Sequence, residues 1–267
     1  MAGQPIPRVI HRLWLGDAPI PELFEHYAET WRRHHPDWEM KLWREGDLPE
    51  LACQAEFEKA NSFKTRYDVV RLELLRQFGG VIIDMDVEAL RPIDPLLDGV
   101  EAFVGQATYG RRMGNQVLGA TARHPLWEHA VRRLRDTVGV ASSASQQAGP
   151  AFVSQMVREK PDGVTVFPRD TFYSPLTIDP VERPEKYPQF YALHHSTESY
   201  REGEEGEVVR LQRRLRDAQK EILRLMNELD AHESRGSNGS ANTDLAAVAA
   251  SRWWRLGRRL GVVKIRI

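Results

Sequence analysis

Hydrophobic and polar positions alternate along the first two hundred residues in a pattern that predicts an α/β domain. Short apolar or alternating runs predict strands at residues 8–16, 38–43, 81–83, 102–107 and 164–167. Apolar residues at every third or fourth position predict helices at 21–35, 64–78 and 125–137, with another that opens at Gly149-Pro150. Strands that alternate with helices favour a mostly parallel sheet with helices on both faces, over residues 1–203.

The central stretch joins a helix, a strand and two acidic residues. Gly79 stands where a helix C-cap belongs, Val81-Ile82-Ile83 is a buried-strand pattern, and Asp84 and Asp86 follow at the end of that strand. Alternate residues of a strand point to the same side, so the two carboxylates would repel each other if unpaired. A divalent cation with oxygen ligands, Mg²⁺ or Mn²⁺, resolves that repulsion and leaves room for substrate phosphates. An Asp-x-Asp pair in a solvated turn is the alternative.

Composition narrows the class of protein. The chain has 267 residues, a formal net charge of −1 and a single cysteine, Cys53. A near-neutral chain is not expected to bind nucleic acid, and one cysteine suits a reducing compartment. There is no apolar signal core and no long apolar run, so we expect a cytoplasmic protein without a membrane span.

Four motifs together resemble the core of the Asp-x-Asp sugar transferases of glycosyltransferase family 32: Asp68-x-x-Arg71, Leu74-Leu75, Phe78-Gly79-Gly80 and Asp84-x-Asp86. The resemblance implies a GT-A type glycosyltransferase that retains anomeric configuration and uses Mn²⁺ or Mg²⁺. The donor would be a UDP- or GDP-linked sugar. The acceptor would be a saccharide or a lipid-linked molecule in the synthesis of surface polysaccharide or glycoconjugate.

The resemblance also assigns roles to residues of the central stretch. Asp86 would bind the metal directly, and Asp84 would help to hold the metal and the ribose or sugar of the donor. Asp68 and Arg71 are three apart on one helix face, and by resemblance they would grip the donor sugar. Arg71 could also pair with phosphate. No carboxylate stands out as a nucleophile.

Three further candidate residues lie outside that stretch. By resemblance, Trp14 lines the nucleotide pocket and would stack on the base, while a Trp packed in the core is the alternative. Asn115 would face the donor or acceptor sugar, although an Asn beside a Gly also favours a turn. His194, at the end of the predicted domain, is the candidate third metal ligand. Adjacent strand residues face opposite ways, so His195 should not reach the same ion.

Some positions depart from the family pattern. Tyr67 stands where a Ser is usual, Ile82 and Ala148 replace a Tyr and a Thr, and Tyr200 replaces a Trp. They suggest altered donor selectivity or rate.

Two other classes of protein stay open from the residues alone. A haloacid-dehalogenase-type phosphatase also places Asp-x-Asp after an apolar strand, but no convincing later acidic pair follows, and the Asp-x-x-Arg helix would have no role in it. A non-catalytic coiled-coil scaffold with a degenerate transferase domain is the other alternative.

The composition changes after residue 203. Residues 204–233 predict a coiled-coil helix and a homodimer, residues 234–244 a flexible linker, and residues 245–267 a basic amphipathic helix. The seam of the coiled coil would be Val208, Leu211, Leu215, Ala218, Ile222, Leu225 and Leu229. The last segment would lie on the inner face of the plasma membrane, or pack on the catalytic domain.

Overall fold

A computed structural model of the chain describes residues 5–107, 112–173 and 187–195. The chain divides into two compact units, and these residues belong to the first, Met1–Ser196. Tyr200, the coiled-coil seam, the linker and the basic amphipathic segment lie outside the described residues. Within the described ranges, no helix combines the length and the apolar character that a membrane span requires.

Eight strands and six α-helices make up the described part of the chain. The strands are β1 (Val9–Leu13), β2 (Glu39–Trp43), β3 (Gly80–Ile83), β4 (Val87–Ala89), β5 (Ala102–Gln106), β6 (Met113–Ala120), β7 (Val164–Phe167) and β8 (Ala192–His194). The helices are α1 (Glu22–His34), α2 (Gln54–Lys59), α3 (Phe63–Phe78), α4 (Pro125–Thr137), α5 (Ala144–Gln147) and α6 (Pro150–Glu159).

Six strands form one mixed sheet in the order β2-β1-β3-β6-β5-β7. The pairs β1–β2, β1–β3 and β5–β7 are parallel, whereas β6 is antiparallel to both of its neighbours. Five strands therefore share one direction and β6 runs against them. The expected α/β architecture with a mostly parallel sheet is observed, with the addition of this reversed strand in the middle.

Side chains alternate between two apolar layers on the faces of the sheet, as the period of a strand requires. In β3, Ile82 packs with helices α3, α4 and α6, while Val81 and Ile83 pack on the opposite face with Trp31 of α1 and with Phe172. Helix α3 is buried from Asp68 to Arg76. A helix buried all round brings its polar side chains into the interior, and two of these, Asp68 and Arg71, lie in the candidate site.

Two glycines turn the chain from α3 into β3. Gly79 and Gly80 have φ of 65° and 80°, the left-handed region that disfavours residues with a Cβ. A Cβ on Gly79 would lie 2.5 Å from the backbone N of Ala122, and one on Gly80 would lie 2.7 Å from the carbonyl O of Val9. The tight corner sets where β3 begins and therefore where Asp84, which follows this short strand, lies.

A second, two-stranded sheet pairs β4 with β8 in antiparallel fashion. Helix α1 packs along β4: the Trp31 indole donates to the Val87 carbonyl at 2.8 Å, and the Ala89 N–H donates to the Thr30 hydroxyl at 2.9 Å. In this register Val87 lies opposite His194. The pairing brings the last described strand beside the Asp-x-Asp segment.

Candidate functional site

The candidate site lies at the carboxyl end of β3. Asp84 follows Ile83 directly, and its N–H donates to the Gln116 carbonyl of β6 at 2.9 Å. Because β6 is antiparallel to β3, the beginning of β6 lies beside the end of β3. This edge of the sheet is therefore lined both by the Asp-x-Asp segment and by the first residues of β6.

Asp84, Asp86 and His194 form a cluster of metal-ligating groups. Each offers one ligand atom, and these atoms all lie within 4.8 Å of one another. His194 Nε2 is 3.3 Å from Asp86 Oδ1. His195 does not join the cluster: its Nε2 lies 2.8 Å from Glu88 Oε2. Carboxylate oxygens and an imidazole nitrogen are ligands that a divalent cation accepts.

The electrostatics of this cluster follow from burial and from the charges that face each other. Burial raises the pKa of the Asp84 carboxyl, and Arg71 opposes that rise. Burial acts to lower the pKa of His194, but the charges of Asp86 and Asp84 outweigh it and raise that pKa above its usual value. The two carboxylates therefore favour positive charge at this point, and a bound cation would supply such a charge.

Arg71 is the buried cation of the site, with 3% of its side chain exposed. Its guanidinium forms an ion pair with Asp84 and donates to the Asn115 carbonyl. Nη1 lies 3.7 Å from Asp68 Oδ1, and the guanidinium carbon lies 4.9 Å from the centre of the Tyr67 ring. Burial alone would lower the pKa of Arg71, but Asp84 and then Asp68 raise it, so Arg71 is charged. It fixes Asp84 from the side of α3.

Asp68 is as buried as Arg71 and has one carboxylate oxygen without a hydrogen-bond partner, Oδ2. The other oxygen, Oδ1, accepts from the Asn115 amide at 2.8 Å. Burial raises the pKa of Asp68 to about 6, against the opposing charge of Arg71. A Cβ on Gly149 would lie 3.0 Å from Oδ2, so a glycine before α6 lets the backbone pack close to that oxygen. A buried acceptor without a partner is costly unless a ligand group satisfies it.

Asn115 lies in strand β6 and not in a turn. Its side chain is buried and its amide is directed to Asp68. The structure therefore places Asn115 in the candidate site as a residue that orients Asp68. A direct contact between Asn115 and a sugar stays a prediction.

Trp14 lies in a small apolar cluster with Phe24, Tyr27 and Met85, and 7% of the residue is exposed. Its indole N–H donates to the Ala18 carbonyl at 2.7 Å. This arrangement is the Trp packed in the core that the sequence analysis named as the alternative. Base stacking by Trp14 stays a prediction. Because Met85 belongs to the same apolar cluster, Trp14 nevertheless lies near the Asp-x-Asp segment.

Tyr173 lines the site, although no role was predicted for it from the sequence. Its hydroxyl donates to the Gln116 side chain at 2.9 Å, and its ring meets that of His194 edge-on with centroids 6.1 Å apart. Burial and the nearby charge of Asp84 raise its pKa. Gly114 makes room for this ring, because a Cβ there would lie 1.9 Å from the hydroxyl oxygen. In the sequence, the adjacent aromatic residues Phe172 and Tyr173 were the available signal.

Comparison with known proteins gives one family match. Residues 21–102 match the family described as "Glycosyltransferase sugar-binding region containing DXD motif". That interval contains α1, α3, β3 and the Asp84-Met85-Asp86 segment. It also contains both polar residues of α3 that face the site.

Two curated relatives share about half of this chain. Inositol phosphoceramide mannosyltransferase 1 of Schizosaccharomyces pombe is 31% identical over 138 residues, which cover 48% of this chain and 43% of that protein. Mannosyl phosphorylinositol ceramide synthase SUR1 of Saccharomyces cerevisiae is 30% identical over 138 residues, which cover 49% of this chain and 35% of that protein. The chain thus spans less than half the length of either relative.

Among solved structures, PaToxG Glycosyltransferase has a similar fold. The TM-score is 0.50 at 17% sequence identity, and the match covers 59% of this chain and 71% of that one. Identity this low supports a shared fold alone. The expected GT-A type α/β fold is confirmed.

Proposed function

We propose that this chain, whose residues 21–102 match the DXD sugar-binding region of glycosyltransferases, is a metal-dependent, retaining glycosyltransferase of family 32. It moves a sugar from a nucleoside diphosphate donor to a saccharide or lipid-linked acceptor. The observation that carries the proposal is the cluster of Asp84, Asp86 and His194 at the end of β3, with Arg71 beside it. A fixed cation site and a buried guanidinium at one strand end suit a diphosphate leaving group.

The residues of the cluster fit a hard divalent cation, Mn²⁺ or Mg²⁺. Asp84, Asp86 and His194 would all bind the cation. Asp84 also forms an ion pair with Arg71. When bound, the cation supplies positive charge to the departing diphosphate. Arg71 holds Asp84 in place, and Tyr173 closes the side of the site next to His194.

The donor sugar is proposed to bind beside Asp68. Its Oδ2 is a buried acceptor without a hydrogen-bond partner in the protein. A sugar hydroxyl can donate to that oxygen and so offset its desolvation. Asn115 keeps Asp68 oriented through the bond to Oδ1. The resemblance to retaining transferases is what supports retention, and no carboxylate is assigned as a nucleophile.

The names of the relatives suggest which donor and acceptor to test first. Both matched proteins are named for transfer of mannose to an inositol phosphoceramide. We therefore include GDP-mannose beside UDP-glucose in a donor panel, with a lipid-linked acceptor and free saccharides as acceptors. Since the chain spans less than half of those proteins, donor and acceptor are both proposals.

The decisive experiment replaces the central carboxylate of the cluster. Asp86→Ala should reduce sugar transfer and donor hydrolysis by about a thousandfold or more, because the charge that holds the cation on the diphosphate is lost. Initial rates are measured with Mn²⁺ over the donor panel. The exposed Asp98 provides the control, and Asp98→Ala should match the wild type. Full activity of Asp86→Ala would refute the mechanism.

A phosphatase substrate and the donor panel together separate the two alternatives. In the structure, Arg71 of the Asp-x-x-Arg helix pairs with Asp84. This pairing supports the transferase, because the Asp-x-x-Arg helix would have no role in a phosphatase of the haloacid-dehalogenase type. Turnover of a generic phosphatase substrate would favour the phosphatase. A scaffold with a degenerate domain should bind neither donor in calorimetry with Mn²⁺. Dimerisation through the seam at residues 208–229 and membrane contact by residues 245–267 remain predictions from the sequence.

A further inference from the structure

The small sheet that brings His194 to Asp86 is too short to stabilise itself. Strands β4 and β8 have three residues each. An isolated pair of strands is marginal in water even when it is longer. Yet the proposed metal site needs His194 and Asp86 at a fixed separation. Other contacts must therefore hold these two strands.

Helix α1 holds the first of the two strands through its buried face. Trp31 and Thr30 bond to the backbone of β4 on both sides of Glu88, at the Val87 carbonyl and the Ala89 N–H. Tyr27 lies one turn earlier on the same helix and packs with Met85, the residue between the two acidic residues. The helix thus fixes the Asp-x-Asp segment and β4 together.

His195 fixes the end of the second strand by three contacts. Its backbone N–H donates to the Asp86 carbonyl at 3.0 Å. Its ring nitrogen Nε2 lies 2.8 Å from Glu88 Oε2. The ring also stacks on Tyr27, with centroids 4.4 Å apart and an interplanar angle of 10°. These contacts join β8 to β4 and to α1 directly next to His194.

We propose that the His195–Glu88 pair, stacked on Tyr27, is a positioning device that holds His194 and Asp86 in the geometry of one divalent cation site. The proposal rests on the metal-dependent function proposed above. His195 and Glu88 are not ligands here: they act by fixing the strand that carries His194 and the segment that carries Asp86. Residues that support metal ligands in this way commonly change metal affinity by about 10- to 100-fold when they are removed.

A second histidine–glutamate pair in the chain provides a matched control. His129 Nε2 lies 2.6 Å from Glu159 Oε2, between α4 and α6. Neither residue belongs to the cluster of metal-ligating groups found among the described residues. Removing this pair changes a similar contact without touching β4, β8 or α1.

The test measures Mn²⁺ binding to the whole 267-residue chain without donor, by electron paramagnetic resonance of free Mn²⁺ during titration. His195→Ala and Glu88→Ala should each weaken binding by about 10- to 100-fold. The double variant should bind no more weakly than the weaker-binding single variant, because both changes break the same His195–Glu88 contact. His129→Ala should bind like the wild type, and His195→Gln, which keeps a donor for Glu88, should recover part of the loss. Circular dichroism checks that each variant is folded.

The outcomes separate this inference from the proposed function. If the wild type binds Mn²⁺ and both His195→Ala and Glu88→Ala bind it equally well, the positioning role is refuted and the metal-dependent function stands. If the wild type binds no Mn²⁺, the metal-dependent function fails and the inference fails with it. Should His195→Ala not fold, Glu88→Ala alone decides by the same criterion.

Discussion

At the scale of single residues, the site depends on how buried charges are matched. Arg71 lies between Asp68 and Asp84 and contacts both carboxylates. Within α3, the positive charge of Arg71 therefore balances the negative charge of Asp68. Asp86 instead faces His194 across the short sheet. The two carboxylates of the Asp-x-Asp segment therefore differ: one is tied to the protein by a guanidinium, and the other is directed to the proposed cation.

His11 shows how a buried histidine can be held neutral. The Trp43 indole donates to its Nδ1 at 3.0 Å, so the ring proton is on Nε2, which lies 3.0 Å from the Gly79 carbonyl. Burial lowers the pKa of His11 to about 4, against a smaller rise from the bond to Gly79. Protonation would place a second N–H against the indole N–H. His11 is thus a structural residue that connects β1 and β2 to the glycine corner.

We predict that this histidine makes the protein less stable in acid. The unfolded chain takes up the proton near pH 6.5, whereas the folded chain takes it up only near pH 4. Stability is therefore complete above pH 6.5, falls between pH 6.5 and 4, and loses no more from this group below that window. The loss should be about 3 kcal/mol.

Chemical denaturation of the wild type and of His11→Gln over this pH range measures the effect. The wild type should lose about 3 kcal/mol more than the variant, which has no ring to protonate. Parallel stability curves for the two proteins would show that His11 does not carry the effect.

At the scale of elements, the corner between α3 and β3 sets the register of the site. Helix α3 carries Asp68 and Arg71, and β3 leads directly to Asp84. Only Gly79 and Gly80 separate the helix from the body of the strand. Their left-handed backbone makes the chain reverse within two residues, so Arg71 and Asp84 come together.

We predict that Gly79→Ala destabilises the protein by about 3 kcal/mol or more. It combines an unfavourable φ with a contact of 2.5 Å to backbone, and neither can relax cheaply. Two control glycines separate the causes, since nothing lies within 4 Å of a Cβ on Gly99 or Gly46. Gly99 has a φ of 69°, so Gly99→Ala should cost about 1 kcal/mol.

Gly46 has no left-handed φ, and Gly46→Ala should change the free energy of unfolding by less than about 0.5 kcal/mol. Urea denaturation of the three variants gives the comparison. Equal stabilities for Gly79→Ala and Gly99→Ala would mean that the close backbone contact at Gly79 has no energetic weight.

At the scale of the whole molecule, the site joins parts of the chain that are far apart in sequence. Asp84 follows β3, Asn115 lies on the reversed strand β6, and His194 ends β8. The GT-A type fold brings them to one edge of the sheet. A ligand that contacts all of them must favour the folded chain over the unfolded one.

We therefore predict that Mn²⁺ with the true donor raises the thermal midpoint. At a free donor concentration of about 100 times Kd, the folded state gains about 2.7 kcal/mol, a rise of several degrees for a domain of this size. Thermal unfolding with each donor of the panel measures it. The shift should vanish in Asp86→Ala. An equal shift for every donor and for Asp86→Ala would indicate binding elsewhere.

Much of the local structure could be predicted because its signals are local. The predicted helix at residues 125–137 has the bounds of α4, and the predicted strand at 164–167 has those of β7. The end of α3 at Gly79, the strand at Val81–Ile83 and the position of the Asp-x-Asp segment after it also follow from the sequence. Periodic apolar residues and a glycine cap constrain the backbone of the segment in which they occur.

The tertiary structure decided which of these segments meet. The direction of β6 put Asn115 in a strand beside Asp68, where the sequence also allowed a turn. The pairing of β4 with β8 put His194 against Asp86, and Tyr173 entered the site because Gly114 leaves it room. A hydrophobic pattern states which face of a segment is buried, but it does not state the partner. Partners are selected by long-range packing and by the need to match every buried charge, and these exist only in the folded chain.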